Sequence, residues 1–522
     1  MLAAVRSATV LGIEAYDVTV EVHVAQGLPR TYMVGLAANA VRESCERVRA
    51  ALENTGFPAP SRRVVISLAP GDRRKDGTGF DLAIAVAMLT AVGVIPEERV
   101  ARYIFLGELG LDGAVRPVRG VLPVARHAAR AGDVTLVVPR ANAAEAGVIE
   151  GLPVVAPPTL ESTIAWLCGG PAPPPVAAAA EPAPEPHLAD FADVAGQDGA
   201  KRALEIAAAG AHACLLAGPP GAGKTMLARR IPGILPRMSE EEALEVTAIH
   251  SVAGLLADGT ALATARPFRA PHHTVSSAGL IGGGGNPRPG EVSLAHHGVL
   301  FLDELLEFPR HVLDVLRQPM EDGRVVIARA AASVAFPARF TLVAAMNPCP
   351  CGHAGVPGRE CRCNESEVQR YRARLSGPLA DRIDMHLSLA PVAREELARG
   401  GTERSAAIRE RVERARERQA RRYAALRLPA RVNGHASGRW IEVHGRLHAE
   451  ARRLAHRAAD QLLLSARAYH RVLKVARTIA DLEGSDAVAP AHVAEALRFR
   501  PVLDEGTRAV PEPPIEAASA AE

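Results

Sequence analysis

No stretch of eighteen or more apolar residues occurs in the 522-residue chain, so a membrane-spanning helix is not expected. The amino terminus, MLAAVRSATVLGIEAYDV, lacks the basic, apolar and small-residue succession of a secretory signal, which makes the cytoplasm the expected compartment. Cysteine is scarce and odd in number, seven in all. Four of the seven, Cys349, Cys351, Cys361 and Cys363, fall within fifteen residues, which suits a metal or reduced thiols better than a disulfide framework. Cys45, Cys168 and Cys214 read as small hydrophobes. Strong overall charge is also missing, since the formal net charge is only +3.

That near balance hides a basic segment. Residues 404 to 477 carry nineteen Arg or Lys against six Asp or Glu, a local charge of about +13. Such clustering is the electrostatic footprint of a phosphate-rich partner, although an Arg-rich solvated helix face has the same composition.

The chain divides by pattern. Residues 1–168 alternate β-like runs (ATVLGI, DVTVEVHVA, RRVVISLA, VTLVVP) with helical ones (ESCERVRAALENTGF, FDLAIAVAMLTAVG), which predicts an α/β or α+β domain. Residues 169–189 are dense in Pro and Ala and read as a linker. Across 190–390, the short apolar runs ACLLAG, GVLFLDE and FTLVAAMN read as buried parallel strands of a nucleotide-binding α/β domain. Residues 391–503 show Arg- and Ala-rich helical periodicity, and 504–522 read as a frayed tail.

GPPGAGKT, comprising Gly218, Pro219, Pro220, Gly221, Ala222, Gly223, Lys224 and Thr225, fits G-x-x-x-x-G-K-[ST] between an apolar strand and a helical run. Its glycines let backbone N–H groups face phosphate oxygens at a helix amino terminus. Lys224 supplies a cation to the β- and γ-phosphates of ATP, and Thr225 offers a hydroxyl to Mg²⁺. VLFLDE is an all-apolar strand ending in two carboxylates; Asp303 is expected to hold Mg²⁺ and Glu304 to act as general base, though either alone would also serve as a helix N-cap. FTLVAAMN ends at Asn347, whose amide is placed to orient the same water.

These stretches, with DVAGQDGAKRALEIAAAGAHACLL, RPFRAPHHTVSSAGLIGGGGNPRPGEVSLAHHG, AAMNPCPCG, LSGPLADRID and SARAYHRVLKVARTIADL, resemble the magnesium-chelatase-like AAA+ ATPases of the ComM/YifB type over nearly the whole chain. The resemblance implies an AAA+ core with a C-terminal helical lid and a homo-hexameric ring with ATP between subunits. Arg382 then looks like the arginine finger reaching a neighbour's γ-phosphate, and Arg467 like the sensor-2 arginine, with Arg471 the second choice. Gln197 is similar to the residue bordering the adenine, with Val194 beside it. The stretch between Thr225 and Asp303 looks like an insertion projected toward the pore, and Arg324 to Arg329 like a hairpin that touches a threaded strand. His272, His273, His296 and His297 are expected in turn and pore contacts rather than as metal ligands.

The front of the chain resembles the Lon protease domain. KDGTGFD and VRPVRGVLPVARHA place Gly79 where the catalytic serine belongs and Leu122 where the lysine belongs, so no acyl-enzyme is expected and Thr78 has no evident base. That leaves a structural module or a dock for a protein partner. CPCGHAGVPGRECRC pairs two Cys-x-Cys units about ten residues apart, either a Zn²⁺ site, with His353 as a substitute ligand, or four structural thiols. For the whole chain the resemblance implies a motor that translocates on or remodels branched DNA, in the manner of a branch-migration helicase. The alternative is an ATP-driven remodeller or chelatase-like motor acting on a protein.

Overall fold

The computed structural model describes residues 1–174, 189–285, 287–329, 332–356, 359–392, 395–396, 403–428 and 430–500. The core of the expected linker and the expected tail therefore lie outside the described residues.

The first sheet starts as a hairpin of β1 (Leu2–Leu11) and β2 (Glu14–Ala25), antiparallel along their full shared length. Period-two alternation decides its faces: Val18, Val20, Val22 and Val24 are buried, whereas Glu21 and His23 point to solvent. β3 (Arg30–Val34), β4 (Arg63–Ala69) and β5 (Tyr103–Phe105) follow, then a small hairpin of β6 (Glu108–Leu109) and β7 (Val115–Arg116), then β8 (Thr135–Val137) and β9 (Val154–Val155). Seven of these form one mixed sheet in the order β3-β4-β2-β1-β5-β8-β9. The helix Asp81–Ala91 is apolar on every face from Leu82 to Leu89, and every one of its residues is buried, Thr90 with its hydroxyl donated to Val86 O. Asp81 is accommodated because Arg47 donates to both its carboxylate oxygens (2.8 and 3.1 Å) and Leu109 N–H to one (3.2 Å). Leu122 lies fully buried in the helix Val121–Ala131, as a core side chain would.

The second sheet is wholly parallel. β10 (Cys214–Ala217), β11 (Phe268–Arg269), the insertion hairpin β12 (Gly282–Gly283) and β13 (Arg288–Pro289), β14 (Val299–Leu302), the hairpin β15 (Arg324–Arg329) and β16 (Ala332–Pro337), β17 (Thr341–Met346) and β18 (Met385–Ser388) follow in chain order. Five of them pair as β11-β14-β17-β10-β18. CLLA and VLFL are apolar without alternation because helices cover both faces of the sheet. This is the AAA+ nucleotide-binding core, and it carries the C-terminal helical region expected of it.

That region comprises the helices Ser405–Ala425, Gly438–His444, Ala449–Gln461, Ala466–Glu483 and Pro490–Arg498. In the first, Ile408, Val412, Ala415, Gln419 and Tyr423 form the buried stripe despite the arginines around them. His212, fully buried, ties the core to these helices by pairing with Asp384 (3.2 Å) and Thr478 (2.8 Å). Asp481, also buried, is paired with Arg422 and Arg477, so its charge is compensated inside the helical bundle.

The front sheet rests on the ATPase core. Gly12 sits at φ +68° in the β1–β2 turn, and a Cβ there would lie 2.6 Å from Val334 Cγ1 of β16; only glycine meets both constraints. Gly120 N–H donates to Ser251 O (3.2 Å), and Ser251 Oγ to the buried Glu145 (2.7 Å), joining the helix Val121–Ala131 region to the helix Glu240–Ala253.

Candidate nucleotide site

β10 ends at Ala217, and the chain turns through Gly218–Gly223 into the helix Lys224–Ala228. Gly221 (φ +81°) and Gly223 (φ +86°) occupy the left-handed region. Gly218 is needed for a different reason, since a Cβ there would come within 2.7 Å of Leu389 O and 2.9 Å of Leu389 Cβ beside β18. The loop is thus pinned at its start and curled at its end.

Strand order brings the rest of the site together. β17 lies between β10 and β14, so the carboxyl ends of all three meet at one rim. Lys224 Nζ donates to Gly218 O (2.7 Å), Pro219 O (2.9 Å) and Asn347 Oδ1 (3.0 Å). Burial pushes the Lys224 amine below its ordinary value, while Asp303 and Glu304 pull it back up. Thr225 Oγ1 donates to Asp303 Oδ2 (2.7 Å), so a hydroxyl and a carboxylate oxygen converge on one point, the donor chemistry of a hard cation. Glu304 takes a left-handed conformation (φ 50°, ψ 48°), unusual for a residue with a Cβ and a strain that clusters at functional sites; its N–H donates to Asp303 Oδ1 (3.0 Å). Its side chain stays exposed.

Gln197, itself left-handed at φ 58°, donates from Nε2 to Ala222 O (3.3 Å) and Ala390 O (2.7 Å), bridging the phosphate loop to the segment after β18. Val194 is fully buried, and its carbonyl accepts from Lys201 Nζ (2.7 Å). Arg382 and the two lid arginines lie elsewhere. Arg382, in the turn before β18, is bound to Glu321 (2.6 Å) and to Pro378 O (2.7 Å). Arg471 donates to Arg382 O (2.8 Å) and pairs with Asp384, whereas Arg467 is exposed in the first turn of the helix Ala466–Glu483 and makes no hydrogen bond or ion pair among the described residues.

The histidines divide. His273 Nδ1 lies 3.5 Å from Glu304 Oε2, beside the expected general base, a partner not foreseen from sequence because it depends on β11 lying next to β14. His296 and His297 depart from the expected turn and pore contacts: both are drawn inward to Glu245 Oε2 (3.0 and 2.7 Å). His296 Nδ1 accepts from Arg339 N–H (2.9 Å), which leaves its proton on Nε2 facing Glu245; the trio forms a hydrogen-bonded anchor whose three ligand-type atoms lie within 4.8 Å of one another. Burial pushes His296 down to about 4.

Two residues past Asn347 the cysteine loop begins. The four sulfur atoms lie within 4.8 Å of one another, with Cys349–Cys351 at 3.4 Å, Cys349–Cys361 at 3.7 Å and Cys351–Cys361 at 3.6 Å. A tetrahedron with metal–sulfur bonds of about 2.3 Å has edges of about 3.8 Å. Ala354 N–H (3.2 Å) donates to Cys349 Sγ and Cys351 N–H (3.4 Å) to Cys363 Sγ, the outer hydrogen bonds that stabilise thiolates. His353 is outside this group. A Cβ at Gly352 would lie 2.6 Å from Pro220 Cδ, so the cysteine loop packs directly on the phosphate loop.

In the front domain, Thr78 Oγ1 donates to Glu108 Oε2, a carboxylate partner that sequence did not reveal. No helix among the described residues is long and apolar enough to cross a membrane.

Family models cover most of the chain. "Magnesium chelatase, subunit ChlI" matches residues 190–397, "Subunit ChlI of Mg-chelatase" residues 20–142, and "Magnesium chelatase, subunit ChlI C-terminal" residues 402–500. The chain is 44% identical to the protein YifB of Salmonella typhimurium across 96% of its own length and 97% of that protein. It is 42% identical to the competence protein ComM of Haemophilus influenzae across 96% and 98%. The magnesium-chelatase 38 kDa subunit of Rhodobacter capsulatus is 27% identical over 30% of this chain and 50% of that one.

Proposed function

The chain belongs to the YifB and ComM family of magnesium-chelatase-like AAA+ proteins, and from that premise we propose that it is an ATP-hydrolysing, homo-hexameric motor that translocates on or remodels branched DNA. The observation that carries the hydrolysis is the meeting of Lys224, Thr225, Asp303 and Asn347 at the ends of three adjacent parallel strands. Gly218 to Gly223 cradle the triphosphate with backbone N–H groups, and Lys224 holds the β- and γ-phosphates. Thr225 and Asp303 hold Mg²⁺, which neutralises phosphate charge when bound. Glu304 accepts the proton of the attacking water, Asn347 orients that water, and His273 sets where the Glu304 carboxylate rests. Gln197 borders the base. Arg382 completes the site of a neighbouring subunit, and Arg467 serves as the sensor-2 arginine on the lid.

DNA as the substrate is supported by the basic excess of residues 404–477, of which Arg414, Arg421, Arg452, Arg453, Arg457 and Arg467 are exposed. The test is steady-state ATP turnover with and without forked DNA at two salt concentrations. Stimulation that weakens as salt rises is expected. Basal hydrolysis indifferent to DNA would reject the DNA reading and direct attention to a protein substrate recruited through the front domain.

The cysteine loop is read as a structural Zn²⁺ site, on the fit of its sulfur separations to a tetrahedron. Through Gly352 and Pro220 the metal would stiffen the phosphate loop. The purified protein is expected to release about one zinc per chain on thiol modification, and Cys361→Ser to lose it; metal-free protein with four titratable thiols would show the cluster to be structural thiols instead.

A further inference from the structure

Arg382 is poorly placed to reach another subunit. Its side chain is only 6% exposed, one terminal amine is bound to Glu321 Oε1 at 2.6 Å and the other to Pro378 O at 2.7 Å, while Nε is buried without a partner. Each terminal amine thus has one N–H committed within the chain, and burial of the side chain keeps the remaining donors from a phosphate outside it. The positive charge is also balanced by the carboxylate, so in this arrangement the guanidinium contributes little to stabilising charge that develops on a nucleotide.

Glu321 is the movable side of the pair. Its side chain is 44% exposed and opens on a cleft of about 440 Å³ whose wall also includes Asp322, Arg339, Arg471 and Lys474. It lies in the last turn of the helix Arg317–Asp322. Gly323, left-handed at φ +63°, ends that helix, and β15 begins at Arg324. Ala338 N–H donates to Gly323 O (2.8 Å), closing the base of the β15–β16 hairpin against the residue that follows Asp322. The insertion hairpin leans on the same unit, because a Cβ at Gly282 would lie 3.0 Å from Ile327 Cδ1. A shift of the β15–β16 hairpin is therefore transmitted to Glu321 through the three peptide links between it and Arg324, and a shift of the insertion hairpin reaches that unit through the Gly282–Ile327 contact. The backbone of Arg382 is held separately, its carbonyl accepting from Arg471.

We propose that Glu321 is the positioning residue that gates Arg382: while their ion pair is closed the arginine is withheld from the neighbouring subunit's nucleotide, and displacement of the two hairpins by a threaded polymer draws Glu321 away and frees it. This rests on the reading of Arg382 as a residue that acts on a neighbour.

The test uses the full chain with the isosteric Glu321→Gln, which keeps shape and removes charge. Without DNA, kcat for ATP is expected to rise roughly two- to fivefold, the change in open population that loss of a half-exposed ion pair produces. KM for ATP should stay constant, because the P-loop is untouched, and the further stimulation by forked DNA should shrink in proportion. Glu321→Gln/Arg382→Ala should be as slow as Arg382→Ala alone, an epistasis that a general loosening of the fold would not give. A Glu321→Gln protein whose DNA-free kcat is unchanged or lower overturns the gate. Arg382→Ala with normal turnover would instead remove the reading of Arg382 itself, so the two failures are told apart.

Discussion

Arg382→Ala is expected to lower ATP turnover by on the order of 10³- to 10⁵-fold, the range over which arginine fingers act. Nucleotide affinity of each chain should be preserved, because Lys224, Thr225, Asp303 and Asn347 form a connected set without it. Arg382 touches none of those four residues within its own chain; it lies before β18, facing Glu321 and the lid helix. On the composite-site reading, its charge acts on hydrolysis only when another subunit presents a phosphate. Mixing supplies the decisive check. Arg382→Ala and Lys224→Ala chains are each inactive alone, but combined they place an intact P-loop against an intact arginine at some interfaces, and turnover should partly return. If the mixture stays as slow as its components, Arg382 does not act across a subunit boundary and the composite-site reading fails.

Glu304→Gln is expected to cut hydrolysis by about 10²- to 10⁴-fold, the usual contribution of a positioned general base, while ATP binding survives. The amide is nearly isosteric with the carboxylate and keeps an acceptor toward His273, but it cannot take the proton of the attacking water. The left-handed backbone at Glu304 projects the side chain past the end of β14 into the exposed rim rather than back along the buried strand. Trapped ATP, measured as nucleotide retained after gel filtration, should accompany the loss. Normal turnover by Glu304→Gln would show that the base lies elsewhere.

Much of this site was legible before the fold was known. GPPGAGKT encodes its own geometry, because Gly221 and Gly223 need left-handed torsions that few other residues adopt and the flanking CLLA and KTMLA runs place strand and helix at its ends. VLFLDE was readable for a similar local reason: four consecutive apolar residues demand burial on both faces, and the two carboxylates that follow must emerge at the rim. The four cysteines were visible as a cluster from spacing alone. The partners of these residues were not. His273 and Glu304 are far apart in sequence and meet because β11 and β14 are neighbours. Glu245 sits fifty-one residues before His296, whose proton placement depends in turn on Arg339 from the segment leading into β17. Histidine pairs on a glycine-rich insertion suggested a surface, and burial reversed that for His296.

The sequence by itself determined the elements and the chemistry within each: a phosphate loop, an acidic strand end, a polar strand end, a thiol loop and a basic helical region. These depend on torsional preference and on apolar periodicity, which act over a few residues. Only the tertiary structure decided which of them meet. Placing β17 between β10 and β14 is what joins Asn347 to Lys224, and folding Gly352 onto Pro220 is what sets the thiol loop against the phosphate loop. The pairing of Glu321 with Arg382 belongs to the same class. Such contacts arise from the order in which strands close a shared core, a global balance of burial and chain connectivity that no local segment records.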